Sequence, residues 1–123
     1  MALRTDLDGR CIKHPERIRV FFVDRGQKRH VLDVDTFFRI FRDWRVDDEA
    51  EIDAIEDGPD VSLGAAIIGV GEPPGAIYLV DNGTKRHVLS PAVMDRYNFR
   101  APFAVVPEIA LRFVPDGPAI GLP

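Results

Sequence analysis

Two tripeptides carry the residue types best suited to chemistry, Lys28-Arg29-His30 and Lys85-Arg86-His87, and each follows a carboxylate at the same distance, Asp24 or Asp81. Three chemistries come into question. Transition-metal binding needs several ligands at short spacing, and neither His30 nor His87 has a second His or a Cys near it. No metal is expected. Acid–base work by His30 with Asp24, or His87 with Asp81, is opposed by strand alternation, which places the members of each pair on opposite faces. The chain also contains no Gly-x-Ser-x-Gly elbow, no glycine loop that cradles phosphate and no paired-carboxylate motif. Neither enzyme activity nor a cofactor is expected. Contact with phosphates, glycans or acidic protein is the third. Here Arg29 and Arg86 fall on the face of Phe22 and Leu79, where an arginine lays its stem over a core and pairs with a carboxylate or carbonyls.

These residues sit in a stretch that occurs twice. Phe21-Phe22-Val23-Asp24-Arg25-Gly26-Gln27-Lys28-Arg29-His30-Val31-Leu32 returns as Tyr78-Leu79-Val80-Asp81-Asn82-Gly83-Thr84-Lys85-Arg86-His87-Val88-Leu89. Each copy predicts a β-hairpin, with Asn82-Gly83 a strong type I′ turn signal and Arg25-Gly26 filling the same place less comfortably. Counting outward from a two-residue turn pairs Asp81 with Thr84, Val80 with Lys85, Leu79 with Arg86 and Tyr78 with His87. One hairpin face then carries an aromatic opposite a histidine beside a lysine in both copies. Phe21, Lys28, His30, Tyr78, Lys85 and His87 are therefore the candidate binding residues.

The elements that must position them follow the same duplication. Residues 1–61 form repeat 1, with a hairpin over 19–32 and helices over 33–44 and 48–57. Residues 62–123 form repeat 2, with a hairpin over 76–89 and helices over 90–99 and 107–114. Asp33 and Ser90 are N-cap residues, and Pro91 suits the first helical position. Val34, Phe37, Phe38, Phe41 and Trp44 make an apolar stripe at helical spacing, read as core. Ile52 and Ile55, and later Leu111 and Val114, point inward from the second helices. Asp57-Gly58-Pro59 and Asp116-Gly117-Pro118 close the copies, and Glu72-Pro73-Pro74-Gly75 reads as a loop. The expected fold is α+β: two tandem β-β-β-α-α repeats forming one compact pseudo-symmetric domain, since 61 residues alone would be marginal.

A net charge of −4 argues against general nucleic-acid binding. Residues 1–61 hold 11 Lys/Arg and 15 Asp/Glu while residues 62–123 hold 5 and 5, so the second copy is the less charged and a covered surface is expected there. The acidic run from Asp47 to Asp60 lacks calcium-loop order and reads as a solvated face. Cys11 stands alone and reads as a small buried hydrophobe. Without an apolar segment at the N-terminus or a run long enough to span a bilayer, synthesis in the cytoplasm without a signal peptide is expected, with no membrane insertion. Incorporation into a particle, or release, remains compatible with that. The final Ala119-Ile120-Gly121-Leu122-Pro123 matches the segment that joins the copies, and Ile120 and Leu122 are read as an assembly arm.

The pattern aromatic-Leu/Phe-Val-Asp-x-Gly-x-Lys-Arg-His-Val-Leu, a capped helix and a closing Asp-Gly-Pro resembles a poorly characterised tandem repeat of bacterial secreted, surface or phage-like particle proteins. Copy one departs from the commoner form at Arg25 and Asp33. The resemblance implies a non-enzymatic structural or adaptor protein, docking on a larger particle such as a phage tail or contractile injection system, or on a surface assembly. Its partners would be protein subunits. The alternative is a small glycan- or cell-wall-binding module using the aromatic–histidine faces.

Overall fold

Both hairpins are set by their turns. Arg25 and Gly26 have φ of 52° and 77°, and Asn82 and Gly83 have 51° and 74°, the positive values that a two-residue type I′ turn requires at both centres. The computed structural model describes residues 1–71 and 75–123; residues 72–74 of the expected Pro/Gly loop lie outside these. Strands β2 (Val20–Asp24) and β3 (Gln27–Val31) pair antiparallel, with β1 (Cys11–Lys13) antiparallel to β2 on its other side. Phe22 faces Arg29 and Phe21 faces His30. After the short helix α1 (Val34–Ile40), strand β4 (Val46–Asp48) joins β1 in parallel.

The later residues repeat this order. Strands β5 (Ala66–Val70), β6 (Ala76–Asp81) and β7 (Thr84–His87) pair antiparallel in turn, and Leu79 faces Arg86 while Tyr78 faces His87. Helix α2 (Pro91–Arg96) follows, then β8 (Ala104–Val106) parallel to β5, and the single turn α3 (Glu108–Leu111). The fold is α+β, with two four-stranded sheets ordered β3-β2-β1-β4 and β7-β6-β5-β8 and few helices.

The helices are shorter than their apolar spacing suggests. Asp33 Oδ1 accepts from Thr36 N at 2.7 Å and Ser90 Oγ from Val93 N at 3.3 Å, so both N-caps form. Helix α1 nevertheless stops at Ile40 rather than residue 44, because Phe41 turns extended (φ −106°, ψ 148°) and bridges Phe99 across the molecule. Arg42 N donates to Asn98 O at 2.9 Å and Arg100 N to Ile40 O at 3.0 Å. The stripe consequently divides: Phe37 and Phe41 are buried, joined by Ile40 from outside the stripe, while Val34, Phe38 and Trp44 are exposed. Helix α2 ends at Arg96, where Asn98 takes the left-handed backbone (φ 54°) of a helix C-terminus. The span 48–57 is not helical; it holds the end of β4 and a 3₁₀ turn at Ile52–Ala54. Each half is thus β-β-β-α-β followed by a short turn, and the parallel fourth strand, β4 or β8, lies between the two expected helices and is missing from the expected β-β-β-α-α order.

The two inner sheet faces share one core. Phe22, Phe37, Phe41 and Val61 meet Ile67, Leu79, Val88 and Phe99 there, and Phe22, Phe41 and Phe99 pack ring to ring at 5.4–6.3 Å. Alternation sends Val23 and Ile12 to the outer face of the first sheet, where Ile52 and Ile55 seal them, with Leu7 and Phe21 alongside. The N-terminal residues help close this face, since Ala2 bridges Ile55. On the second sheet the outer residues Ile68, Tyr78 and Val80 stay half-buried, and Tyr78 lines a small hollow with Leu111 of α3, itself half-buried.

Candidate functional site

The hairpins bring the repeated Asp and Arg to the middle of the molecule. Asp and Arg lie one on each side of the turn, on the inward face with Phe22 or Leu79, so both halves aim a carboxylate and a guanidinium at the shared core. Arg29 donates from Nη1 to Asp24 Oδ2 at 2.9 Å and from Nη2 to Asp81 Oδ2 of the other half. Arg86 donates from Nη1 to Asp24 Oδ2 at 2.6 Å and from Nη2 to Asp24 Oδ1 at 3.2 Å. Asp81 Oδ1 also accepts from the backbone N and the Oγ of Ser62, each at 3.0 Å. All four charged side chains are at most 6% exposed. Two cations and two anions cancel, and that is what makes burial of four charges tolerable.

The closing Asp-Gly-Pro completes the same arrangement. Arg29 Nε donates to Pro59 O at 2.9 Å and Arg86 Nε to Pro118 O at 2.8 Å. A Cβ on Gly58 would lie 3.1 Å from Arg29 Cγ, and one on Gly117 would lie 2.9 Å from Arg86 Cγ, so glycine leaves room for the arginine stems. Lys28 Nζ pairs with Asp57 at 2.9 Å and donates to Ile55 O at 2.6 Å; Lys85 Nζ pairs with Asp116 at 3.2 Å. Asp, Gly, Lys and Arg of the repeated pattern are therefore engaged inside the chain.

The candidate binding residues divide accordingly. Phe21 and His30 lie ring to ring at 5.5 Å, and Tyr78 and His87 at 5.4 Å. Lys28 is buried and Lys85 is held by its ion pair, with Nζ 5.9 Å from the Phe21 ring centre and 6.0 Å from that of Tyr78. Phe21, His30, Tyr78 and Lys85 are half-buried, and His87 is exposed. Of the proposed arm, Ile120 is buried and docks on β7, donating from N to His87 O at 2.8 Å, whereas Leu122 is exposed. Val61 makes the matching bond to His30 O at 3.0 Å.

Grooves flank the base of each hairpin. One of about 300 Å³ runs between His30, Leu32, Val34 and Trp44, and one of about 400 Å³ between His87, Leu89, Pro91 and Met94. Among the described residues no three His, Cys, Asp or Glu side chains gather in a metal-holding group, and no helix is long and apolar enough to cross a membrane. Burial raises the Cys11 thiol far above its ordinary value. No family model, curated protein or solved structure matches the chain.

Sequence reasoning assigns Arg29 and Arg86 to the core face but not their partners in the opposite half. It also passes over a polar pocket at the seam between the halves, formed by Arg10, Arg45, Arg96 and Asn98. The available signal is a departure from the repeat: register places Ala66 where Arg10 stands.

Proposed function

We propose that the chain is a non-enzymatic structural or adaptor protein, two repeats related by a pseudo-two-fold axis, that docks on a larger particle or surface assembly. The duplication is supported by contacts made in both directions: Arg42 with Asn98 and Arg100 with Ile40, Arg29 with Asp81 and Arg86 with Asp24. One observation carries the docking reading. The first sheet's outer face is sealed by Ile52 and Ile55, but the second half leaves large apolar side chains in solvent over residues 103–113, Ile109 at 56% and Phe113 at 86% exposed. Isolated exposed apolar residues need no explanation, yet several on one short segment beside a half-open sheet fit a protein partner. Low charge in the same half agrees with that.

Sedimentation of the untagged protein from a lysate of its source, with mass spectrometry of what travels with it, tests the reading. Co-sedimentation with a large particle, lost in Ile109→Asp/Phe113→Asp, is expected. A free monomer in the lysate would remove the docking role. A glycan-binding reading is kept for the Tyr78–His87 face, because His87 is exposed beside the aromatic ring; a glycan array on which wild type and Tyr78→Ala are equally silent eliminates it.

A further inference from the structure

We propose that the outer face of the second sheet takes an extended segment of a partner protein, laid where residues 2–5 of this chain lie on the first. The inference rests on the docking reading above and gives the partner's binding part a form: a strand with backbone N–H groups two residues apart and a carboxylate after them. The first half supplies the template. Ala2 N donates to Ala54 O and Glu56 N to Ala2 O, each at 2.8 Å, and Arg4 N donates to Gly26 O at 2.8 Å. The N-terminal segment thus ties the 3₁₀ turn to the tip of the hairpin, with Leu3 and Thr5 against Gly26.

The second half repeats this frame bond by bond. Lys28 Nζ donates to Ile55 O at 2.6 Å and Lys85 Nζ to Val114 O at 2.5 Å. Lys28 N donates to Glu56 O and Lys85 N to Pro115 O, both at 2.9 Å, while Ile55 N bonds Ile52 O and Val114 N bonds Leu111 O, both at 3.1 Å. Phe113 therefore stands for Ala54, Pro115 for Glu56 and, at the hairpin tip, Gly83 for Gly26. Among the described residues no segment is seated there. Phe113 O and Gly83 O accept no hydrogen bond, no atom lies within 4 Å of a Cβ on Gly83, and Phe113 is 86% exposed. The peptide joining the halves touches the tip at Asn82, through Ser62 Oγ and Asp60 O.

The apolar residues beneath record the difference. Ile12, Val23, Ile52 and Ile55 are at most 2% exposed and Leu7 packs on them, whereas their counterparts Ile68, Val80, Leu111 and Val114 are only half-buried. The turn that opens each half is closed by Arg10 N to Leu7 O or by Ala65 N to Ser62 O. Ser62 thus replaces Leu7, and its hydroxyl goes to Asp81.

Charge and count select the occupant. Gly26 N donates to the Asp8 carboxylate at 2.7 Å. In the second half Leu63, 65% exposed, precedes Gly64 as Asp8 precedes Gly9, and Gly83 N has no acceptor among the described residues. A carboxylate from outside fits that N–H. Lys85 and Arg112 beside the face are already paired with Asp116 and Glu108, so the strand itself needs no further charge. A second copy of this chain is a poor donor: its one N-terminal segment already serves its own first half, and lending it would open one place to fill another. A different subunit has no such loss. Strand addition takes its affinity from main-chain bonds; because Pro115 has no N–H, the two offered here are those to Phe113 O and Gly83 O.

Amide shifts of the full chain, titrated with a synthetic peptide of residues 1–6 (Met-Ala-Leu-Arg-Thr-Asp), test the proposal. Saturable shifts are expected at Asn82–Thr84 and Leu111–Val114, with Gly26 and Ala54–Glu56 unmoved because the chain's own segment holds them. The same peptide N-methylated at Ala2 and Arg4 lacks both donors and should not bind. Changing its Asp6 to Asn and amidating its C-terminus should weaken binding roughly tenfold, through loss of a charge-assisted hydrogen bond. Pro115→Ala in the protein restores the donor that Glu56 supplies and should tighten binding severalfold. Shifts that fail to saturate by about 10 mM, shifts confined to the first half, or equal binding of the N-methylated peptide would overturn strand addition. If the protein co-sediments with a particle while the peptide leaves the second half unmoved, strand addition falls and docking stands. Peptide binding by a chain that travels free in the lysate removes the particle and keeps the strand site.

Discussion

Replacing Asp24 by Asn is the most direct test of the central charge cluster. The substitution keeps the shape of the side chain but removes the anion that accepts from Arg29 at 2.9 Å and from Arg86 at 2.6 and 3.2 Å. Two buried guanidinium groups are then left with Asp81 alone. Breaking a buried pair by deleting one partner costs about 3–5 kcal/mol, a large part of the roughly 5–15 kcal/mol that holds a domain together. For a chain of this length that corresponds to a fall in Tm of about 10–20 °C. Urea titration followed by circular dichroism should show a lower midpoint with an unchanged slope, because the surface exposed on unfolding is the same. Adding Arg86→Met should recover part of the loss, since it removes the surplus cation; the double-mutant cycle measures that coupling. Asp53→Asn, which breaks an exposed pair with Arg17, should leave the midpoint nearly in place. A loss for Asp24→Asn no larger than that of Asp53→Asn would refute the reasoning, for the cluster would then behave as a surface pair.

Four further substitutions probe the turns and the core. Arg25 holds a left-handed φ of 52° that Asn82 holds in the second hairpin, so Arg25→Asn should raise stability by about 0.5–1 kcal/mol in chemical denaturation. Gly26 and Gly83 share a turn position but not a neighbourhood. A Cβ on Gly26 would meet Leu3 Cβ at 2.9 Å and Arg4 N at 3.1 Å, and nothing lies within 4 Å of one on Gly83. Gly26→Ala should therefore destabilise clearly more than Gly83→Ala; equal losses would exclude the close approach of the N-terminal segment. Burial raises the Tyr97 phenol to about 12, above the value near 10 of an unfolded tyrosine. Above pH 10 the unfolded chain loses a proton that the folded chain keeps, so stability should fall as pH rises toward 12. In Tyr97→Phe that part of the decline should vanish, and an identical decline would contradict it.

The parts of the fold legible in the sequence are those fixed locally. A glycine turn with alternating strands gives the register of both hairpins, because pairing is counted from the turn. Asp33 and Ser90 mark the helix starts by their own cap chemistry. What is misread depends on distant partners. The spacing of Phe41 and Trp44 continues the helical period, yet Phe41 leaves the helix to meet Phe99, a contact that no local pattern encodes. Val46-Asp47-Asp48 has neither the length nor the apolar character of a strand; Arg10, just before β1, and Lys13 on it hold the two carboxylates and so permit the pairing. The same holds for the candidate site. Parity along the strand puts Asp24 and Arg29 on the inner face, but only the meeting of the halves couples Arg29 to Asp81 and Arg86 to Asp24.

That crossing of partners makes completion of the fold a binding event between two parts of one polypeptide. Arg29 pairs with Asp24 of its own half, but Asp81 and Arg86 find their charged partners only in the first half, and the phenylalanine cluster draws rings from both. The peptide connecting them, which includes the Ser62 that holds Asp81, fixes their effective concentration, of millimolar order for short linkers. Cleaving that connection would make the stability depend on protein concentration. Between intact chains the same complementarity would let the second half of one molecule dock on the first half of another, the exchange of an identical element by which a duplicated fold can dimerise.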